Sequence, residues 1–375
     1  AAYYLPNDVY EGLKKGRETE ESPVGKVVLD QIISNAEIAR AEDRPYCQDT
    51  GMTIVFAEVG QDLHITDGLL EDAINEGIAK GYTDGYLRKS VVAEPLFNRK
   101  NTQNNTPGII YTKIVPGDKI DITIAPKGFG SENKSGVKML VPADGVEGVK
   151  KAVMDIIRHA GPNPCPPMVV GIGIGGTPEK AMLMAKESLM SHIDIQELQD
   201  KAKSGAELNT VEKLRLELYE KVNALGIGAQ GLGGLTTVLD VKILDYPTHA
   251  ASKPVAMIPN CAATRHVEFT LDGTGPVKLD PPSLEDWPDI TYSPDNGIRV
   301  NLDTLTKEDV AQWKMGDVLL LNGKIYTGRD AAHKRMVDML NKGEKLPVDF
   351  TNKMIYYVGP VDPVRDEVVG PAGPT

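Results

Sequence analysis

Met168-Val169-Val170-Gly171-Ile172-Gly173-Ile174-Gly175-Gly176-Thr177-Pro178 is the stretch on which the fold turns. Its apolar run is short enough for a buried strand, and the glycines end it. Pro178 then opens a helix running through Ala181, Met184, Ala185 and Leu189, at a first-turn position where its missing N–H costs nothing. A strand that feeds directly into a helix is a building unit of α/β folds. The alternation continues outward in both directions. Helical spacing covers residues 7–43, with Asn7 or Asp8 as cap, and is followed by a strand at 52–59 and a helix at 67–80. Strands at 109–115 and 119–125 read as a hairpin about Pro116-Gly117-Asp118, before a helix at 145–160. Residues 195–224 form a charged helical stretch, and strands are expected at 236–244 and 255–258.

Glycines 171–176 fit the spacing GxGxxG, and so do Gly226-Ile227-Gly228-Ala229-Gln230-Gly231. A dinucleotide site also needs an acidic residue closing the next strand, and the place after Gly176 holds a helix end with His192-Ile193-Asp194. Two readings stay open: backbone passing close to a compact ligand, and tight strand–helix packing.

The 375 residues, 41% hydrophobic and 25% charged, fit a globular chain of two domains. The Gly/Pro-rich connector Gly273 to Trp287 divides them, giving 1–275, a linker at 276–290 and 291–375. In the second part, Thr291 to Leu302 and Val318 to Tyr326 read as strands, Gly328 starts a basic helix, and Met354 to Val358 reads as a buried strand. An excess of 53 acidic over 41 basic residues argues against a nucleic-acid or anionic-membrane partner. The absence of a long apolar run or a leader pattern, and an odd count of three cysteines without paired spacings, predict a cytoplasmic protein with reduced thiols. The chain opens in the approach to a helix and closes on Gly370-Pro371-Ala372-Gly373-Pro374-Thr375, so a fragment is expected.

All three cysteines sit in loops with proline or asparagine nearby: Arg44-Pro45-Tyr46-Cys47-Gln48-Asp49-Thr50-Gly51, Gly161-Pro162-Asn163-Pro164-Cys165-Pro166-Pro167 and Pro259-Asn260-Cys261-Ala262-Ala263-Thr264-Arg265-His266. The plain alternative is three small buried hydrophobes. Three thiolates off any apolar face also suit a [4Fe–4S] cluster held at three irons, with the fourth open to substrate. An open metal position is a Lewis acid, and such a site performs dehydration. Asp49, two residues from Cys47, is the proton-transfer candidate. Arg88, Arg329 and Lys134 are candidate carboxylate holders, although any single arginine reads more readily as a surface residue. His249 is read either as orienting a substrate oxygen or as an ordinary loop histidine, with His266 and His333 behind it. The loop Lys127-Gly128-Phe129-Gly130-Ser131-Glu132-Asn133-Lys134-Ser135 either turns backbone N–H groups toward a ligand or is a solvated turn.

These three cysteine loops, the Lys127–Ser135 loop, Gly226-Ile-Gly-Ala-Gln-Gly-Leu-Gly-Gly234 and Gly328-Arg-Asp-Ala-Ala-His-Lys-Arg335 together resemble the iron–sulfur (class I) fumarate hydratases, a family that includes L(+)-tartrate dehydratases and mesaconate hydratases. The resemblance spans nearly the whole chain. It implies a large N-terminal α/β domain, the alpha part, fused to the start of a smaller, swivelling α/β domain, the beta part. It implies a [4Fe–4S] cluster on Cys47, Cys165 and Cys261, substrate contacts from Gln48, Asp49, Arg88, the backbone near Gly130 and Arg329, and His249 lining the site. Thr375 would stand for the threonine that pairs with the aspartate in catalysis. Family members continue past it to an arginine and a lysine that also hold substrate. The implied reaction is reversible hydration of fumarate to L-malate, a step of the tricarboxylic acid cycle, in a homodimer of the fused chain or an alpha2beta2 assembly. Tartrate and mesaconate are the alternative substrates. An NAD-dependent oxidoreductase built on the glycine loops, and a cluster carrier without turnover, are the readings from other classes.

Overall fold

The computed structural model describes residues 1–279, 297–314, 317–363 and 367–373. It divides into two compact units, Ala1–Trp287 and Pro288–Thr375. The first begins with α1 (Asn7–Thr19), α2 (Pro23–Ala41), β1 (Met52–Gly60), α3 (Leu70–Asp84), β2 (Ile109–Val115), β3 (Ile120–Lys127), α4 (Phe129–Glu132) and β4 (Gly136–Leu140). It continues with α5 (Gly145–Ala160), β5 (Met168–Gly175), α6 (Pro178–Ser188), α7 (Ile195–Lys203), α8 (Thr210–Asn223), β6 (Val238–Tyr246), β7 (Lys253–Asn260) and β8 (Val267–Leu271). Helices and strands alternate as the α/β class requires.

The helical region expected at 7–43 breaks in two because Ser22 caps α2, its hydroxyl accepting from the Gly25 N–H at 3.2 Å, with Pro23 in the first turn. Neither Asn7 nor Asp8 caps α1; Pro6 stands there. Asp8 instead accepts the Ile193 N–H at 2.7 Å, a tertiary bond that takes the carboxylate away from its own helix.

The first sheet has the order β2-β1-β3-β8, with β1 parallel to β2 and antiparallel to β3. The hairpin expected between β2 and β3 does not form, because β1 lies between them and pairs Ile54 with both Ile109 and Ala125. β1 is the more buried strand and claims the centre, while β2 stays half-exposed at an edge. The turn at 116–118 wraps the end of β1 instead: Gly60 N–H donates to Lys119 O at 2.7 Å, and Asp62 N–H to Gly117 O at 2.8 Å. A Cβ at Gly60 would sit 2.4 Å from Gly117 O, so only glycine fits.

The second sheet has the order β4-β7-β5-β6, antiparallel except for the pair β5 and β6. Strand β5 is buried on both faces, which explains its unbroken apolar run. Val169 packs with Leu13, Leu29 and Ala185 of α1, α2 and α6; Met168, Val170 and Ile172 face Val153, Ile157 and Leu218 of α5 and α8. Each such fully buried aliphatic side chain stabilises the fold by roughly 1.5–3 kcal/mol. Added Cβ atoms at Gly171 and Gly173 would lie 2.0 Å from the carbonyl oxygens of Ala185 and Ala181. The first GxGxxG run is therefore where α6 presses on β5, and its spacing records packing.

The second unit contains β9 (Ile298–Asn301), α9 (Lys307–Val310), β10 (Leu319–Asn322), β11 (Tyr326–Thr327), α10 (Asp330–Asn341), β12 (Ile355–Tyr356), β13 (Gly359–Pro360) and β14 (Ala372–Gly373). β9 and β10 pair in parallel, as do β11 and β12, and β13 is antiparallel to β14. The linker from 280 onward and the first part of the strand expected at 291–302 lie outside the described residues. The strand expected at 318–326 divides at Gly323, whose φ of +104° is open to glycine alone. The strand expected at 354–358 shrinks to β12 and is exposed rather than buried, because its partner β11 is two residues long. Among the described residues no helix is long and apolar enough to cross a membrane.

Candidate active site

Four strand ends of the first unit converge on one place: the starts of β1 and β5, and the ends of β3 and β7. Pairing of Val169 with Asn260 sets Cys261 beside the segment that carries Cys165, and the Ala262 N–H donates to Cys165 O at 3.0 Å. Pairing of Met52 with Lys127 sets the Cys47 loop beside the end of β3. Lys127, fully buried, then reaches across to the second sheet, its Nζ donating to Pro259 O and Ser131 Oγ, each at 2.9 Å. Arg265 completes the junction, donating from Nη1 to Ala263 O at 3.2 Å and from Nη2 to Asp49 O at 2.7 Å. The three cysteine loops, far apart in sequence, thus meet.

The thiols act on one another. Burial, with Cys261, Cys47 and Asp49 adding to it, pushes the Cys165 thiol up to about 12. Burial and then Cys47 also push Cys261 upward, while Arg265 and Lys127 oppose the shift. Tyr46 beneath them is raised by burial and by the same two thiols, Cys261 and Cys47. Cys47 Sγ lies 3.5 Å from Gln48 Oε1.

Cys165 has a φ of +57°, a left-handed conformation that costs a side-chain-bearing residue roughly 1–3 kcal/mol. Its loop is held there from behind. Gln230 donates to Pro166 O through its backbone N–H at 2.7 Å and through Nε2 at 2.9 Å. A Cβ at Gly231 would strike Pro162 Cβ at 2.2 Å. The second GxGxxG run is the backing of the Cys165 loop: close approach of protein atoms explains Gly228 and Gly231, and a φ of +66° explains Gly226.

Asp49 is buried and held on both oxygens. Oδ2 accepts the Phe129 N–H at 2.8 Å, and Oδ1 accepts the Gly51 N–H at 3.1 Å and Arg88 Nη2 at 3.3 Å. In the Lys127–Ser135 loop, expected either to approach a ligand or to be a solvated turn, the Phe129 N–H is spent on Asp49. Arg88 is fixed in turn by its carbonyl, which accepts the Thr50 hydroxyl at 2.6 Å. Asn105, fully buried, accepts the N–H groups of Ser90 and Val91 at 2.6 and 3.0 Å and donates to Gly51 O at 2.9 Å. Tyr82 donates to Thr50 O at 2.5 Å. Glu132 bridges Lys127 at 3.3 Å and Lys186 at 2.8 Å; burial opposes ionisation there, but the two ammonium groups hold its carboxyl below the usual range.

Other candidates lie elsewhere. His249 is exposed in the loop between β6 and β7, where its Nδ1 accepts the Ala251 N–H at 3.2 Å. That loop is at the opposite end of the eight-residue strand β7 from Cys261, roughly 25 Å away at about 3.3 Å per residue, so the fold of this unit does not bring His249 to the thiols. His266 is buried 3.8 Å from Glu268, and desolvation lowers its proton affinity. Lys134 lies in the turn between α4 and β4. Arg329 and His333 belong to the second unit: Arg329 precedes α10 and packs against Gly359, and His333 Nδ1 lies 3.0 Å from Arg329 O. Thr375 lies outside the described residues. Sequence reasoning missed Arg265, Asn105 and Tyr82. Arg265 did carry a signal, as the one charged side chain of the Cys-Ala-Ala-Thr-Arg run. Asn105 was hidden in the asparagine-rich turn 98–108, and nothing set Tyr82 apart from other helical tyrosines.

Residues 1–270 match the family model described as Fumarate hydratase (Fumerase), and residues 273–375 match the one described as Fumarase C-terminus. The chain belongs to the fumarate hydratase family. Among relatives of this family, it is 31% identical over 373 residues to the aerobic class I fumarate hydratase of Escherichia coli K12, covering 96% of this chain and 67% of that protein. It is 43% identical over 270 residues to a Methanocaldococcus jannaschii protein with the provisional name L(+)-tartrate dehydratase subunit alpha, covering 71% of this chain and 91% of that one. The L(+)-tartrate dehydratase subunit alpha of Escherichia coli UTI89 is 32% identical over 278 residues, covering 72% of this chain and 88% of that one. The chain spans about two thirds of the length of the Escherichia coli K12 fumarate hydratases it matches.

Proposed function

We propose that this chain is the cluster-bearing part of a cytoplasmic iron–sulfur hydro-lyase that interconverts fumarate and L-malate, a step of the tricarboxylic acid cycle. The observation that carries the reading is the meeting of the three cysteine loops beside a doubly held carboxylate, Asp49. The donor set fits the cluster. It is three thiols on loops that meet, two of them, Cys165 and Cys261, raised in proton affinity by burial and neighbouring thiols, beside the buried cations Lys127 and Arg265, the second of which calls for negative charge at that place. Among the described residues no three His, Cys, Asp or Glu side chains are grouped as the ligands of one metal ion would be. A four-iron cube takes its thiolates at separate corners, a different arrangement from the ligands of one ion.

Cys47, Cys165 and Cys261 would hold the cluster. When bound, it supplies a Lewis acid that polarises substrate oxygen. The remaining work falls to side chains. Asp49 moves a proton, kept in place by Phe129 and Gly51 N–H groups. Arg88 lies beside it to take a substrate carboxylate in bidentate fashion. Gln48 presents its amide next to Cys47. The assembly proposed is a homodimer with a small dicarboxylate as substrate. The relatives named for L(+)-tartrate support tartrate as the second substrate, with mesaconate behind it.

Anaerobic reconstitution with iron and sulfide tests the reading. A brown protein whose whole-length form hydrates fumarate supports it, and a panel of fumarate, tartrate and mesaconate fixes the substrate. Colourless protein, or brown protein inactive on all three substrates in whole-length form, overturns it.

A further inference from the structure

Arg265 stands out among the cations of the first unit. It is 3% exposed, and among the described residues no carboxylate forms an ion pair with it. Burial works against its charge, and Cys47, Cys261 and then Tyr82 favour it; its hydrogen bonds end at Asp49 O, two residues from Cys47, and at Ala263 O, two residues from Cys261. Its Nε has no hydrogen-bond partner. The other buried cations at this junction have acidic partners: Lys127 has Glu132, and Arg88 has Asp49. A guanidinium buried without a counter-ion has lost its hydration with no charge to offset the loss, and a site that keeps one there is waiting for negative charge. The fork also spans two loops. It grips Ala263 O on its own cysteine loop and Asp49 O on the other, across 216 residues.

We propose that Arg265 is a positioning residue that supplies the fixed counter-charge for two of the three thiolates and, through the Asp49 carbonyl, ties cluster retention to the orientation of the proton-transferring carboxylate. This rests on the cluster reading above. Arg265 touches no reacting atom; it acts through Cys47, Cys261 and the Asp49 backbone. A planar fork suits the task because one side chain must satisfy acceptors in different directions while keeping its charge. Lysine would keep the charge and lose the span, and glutamine would lose both.

The test uses the whole protein, reconstituted anaerobically, as wild type, Arg265→Lys and Arg265→Gln. The readouts are iron retained against a chelator, the electron paramagnetic resonance spectrum of the reduced cluster, and the split of kcat from KM for fumarate. Loss of an outer-shell partner of this kind weakens metal affinity about 10–100-fold. The expected order is wild type, then Lys, then Gln, with an altered spectrum in both variants and kcat falling more than KM rises. Near-ultraviolet circular dichroism checks that the variants are folded. Iron retention and spectrum equal to wild type in both variants overturn the proposal, and where Arg265→Gln does not fold, wild-type behaviour of Arg265→Lys does so alone. Wild-type protein that takes up no iron removes the cluster reading itself and this proposal with it, which separates the two failures.

Discussion

The backbone N–H of Phe129 donates to Asp49 Oδ2 at 2.8 Å, fastening the carboxylate beside Cys47 to a loop 80 residues farther along the chain. A carboxylate held this way keeps one geometry through a reaction cycle, which is what proton transfer at a fixed carbon needs. Asp49→Asn in the whole protein is expected to keep its iron and lower kcat by about 10²–10⁴, the usual share of a general acid–base group. Iron content and steady-state kinetics on one preparation check it. Normal turnover would remove Asp49 from the mechanism.

Replacing any of Cys47, Cys165 or Cys261 with serine is expected to abolish the visible absorbance of the reconstituted protein. Cys165→Ser differs from the others in having to satisfy a left-handed backbone held by Gln230. A serine variant at any of the three that still binds a full complement of iron would exclude that cysteine as a ligand.

Glu132 is one of the carboxylates expected to make the fold acid-labile. Its folded proton affinity lies below the ordinary value of 4.5: burial works against this, and Lys127 and Lys186 overcome it. Stability from this group is thus fully present above pH 4.5 and lost as pH falls through the lower folded value. Glu132→Gln leaves Lys127 buried without its carboxylate and is expected to cost about 3 kcal/mol, the low end for breaking a buried pair. Its unfolding free energy should also flatten with pH in the acid range. Denaturant titrations at stepped pH measure both, and a variant as pH-sensitive as wild type would assign the effect elsewhere.

Gly173→Ala puts a methyl group 2.0 Å from the Ala181 carbonyl oxygen, so α6 must lift from β5. Overpacking of this kind costs about 1–3 kcal/mol, read as a lowered Tm. NAD is expected to leave the Tm of wild-type protein unchanged. A rise in Tm with NAD would revive a nucleotide role for these glycines.

The sequence alone determined which segments are strands and helices wherever periodicity was strong, as in β5, α5 and α6, because burial pattern and first-turn proline are local properties. It also marked the three cysteine loops as chemistry, since proline-rich loops have no packing need for a thiol. Strand order was beyond it: β1 separates β2 from β3 because a more buried strand claims the sheet centre, and that is a competition among segments. The two glycine motifs were likewise undecidable, since nucleotide approach and helix packing demand the same missing Cβ. Only the tertiary structure settled that Ala181, Ala185 and Pro162 fill those spaces. It alone set His249 at the far end of β7 and brought Arg265 to Asp49, because pairing register fixes which loop ends are neighbours and no local pattern encodes a contact across 216 residues.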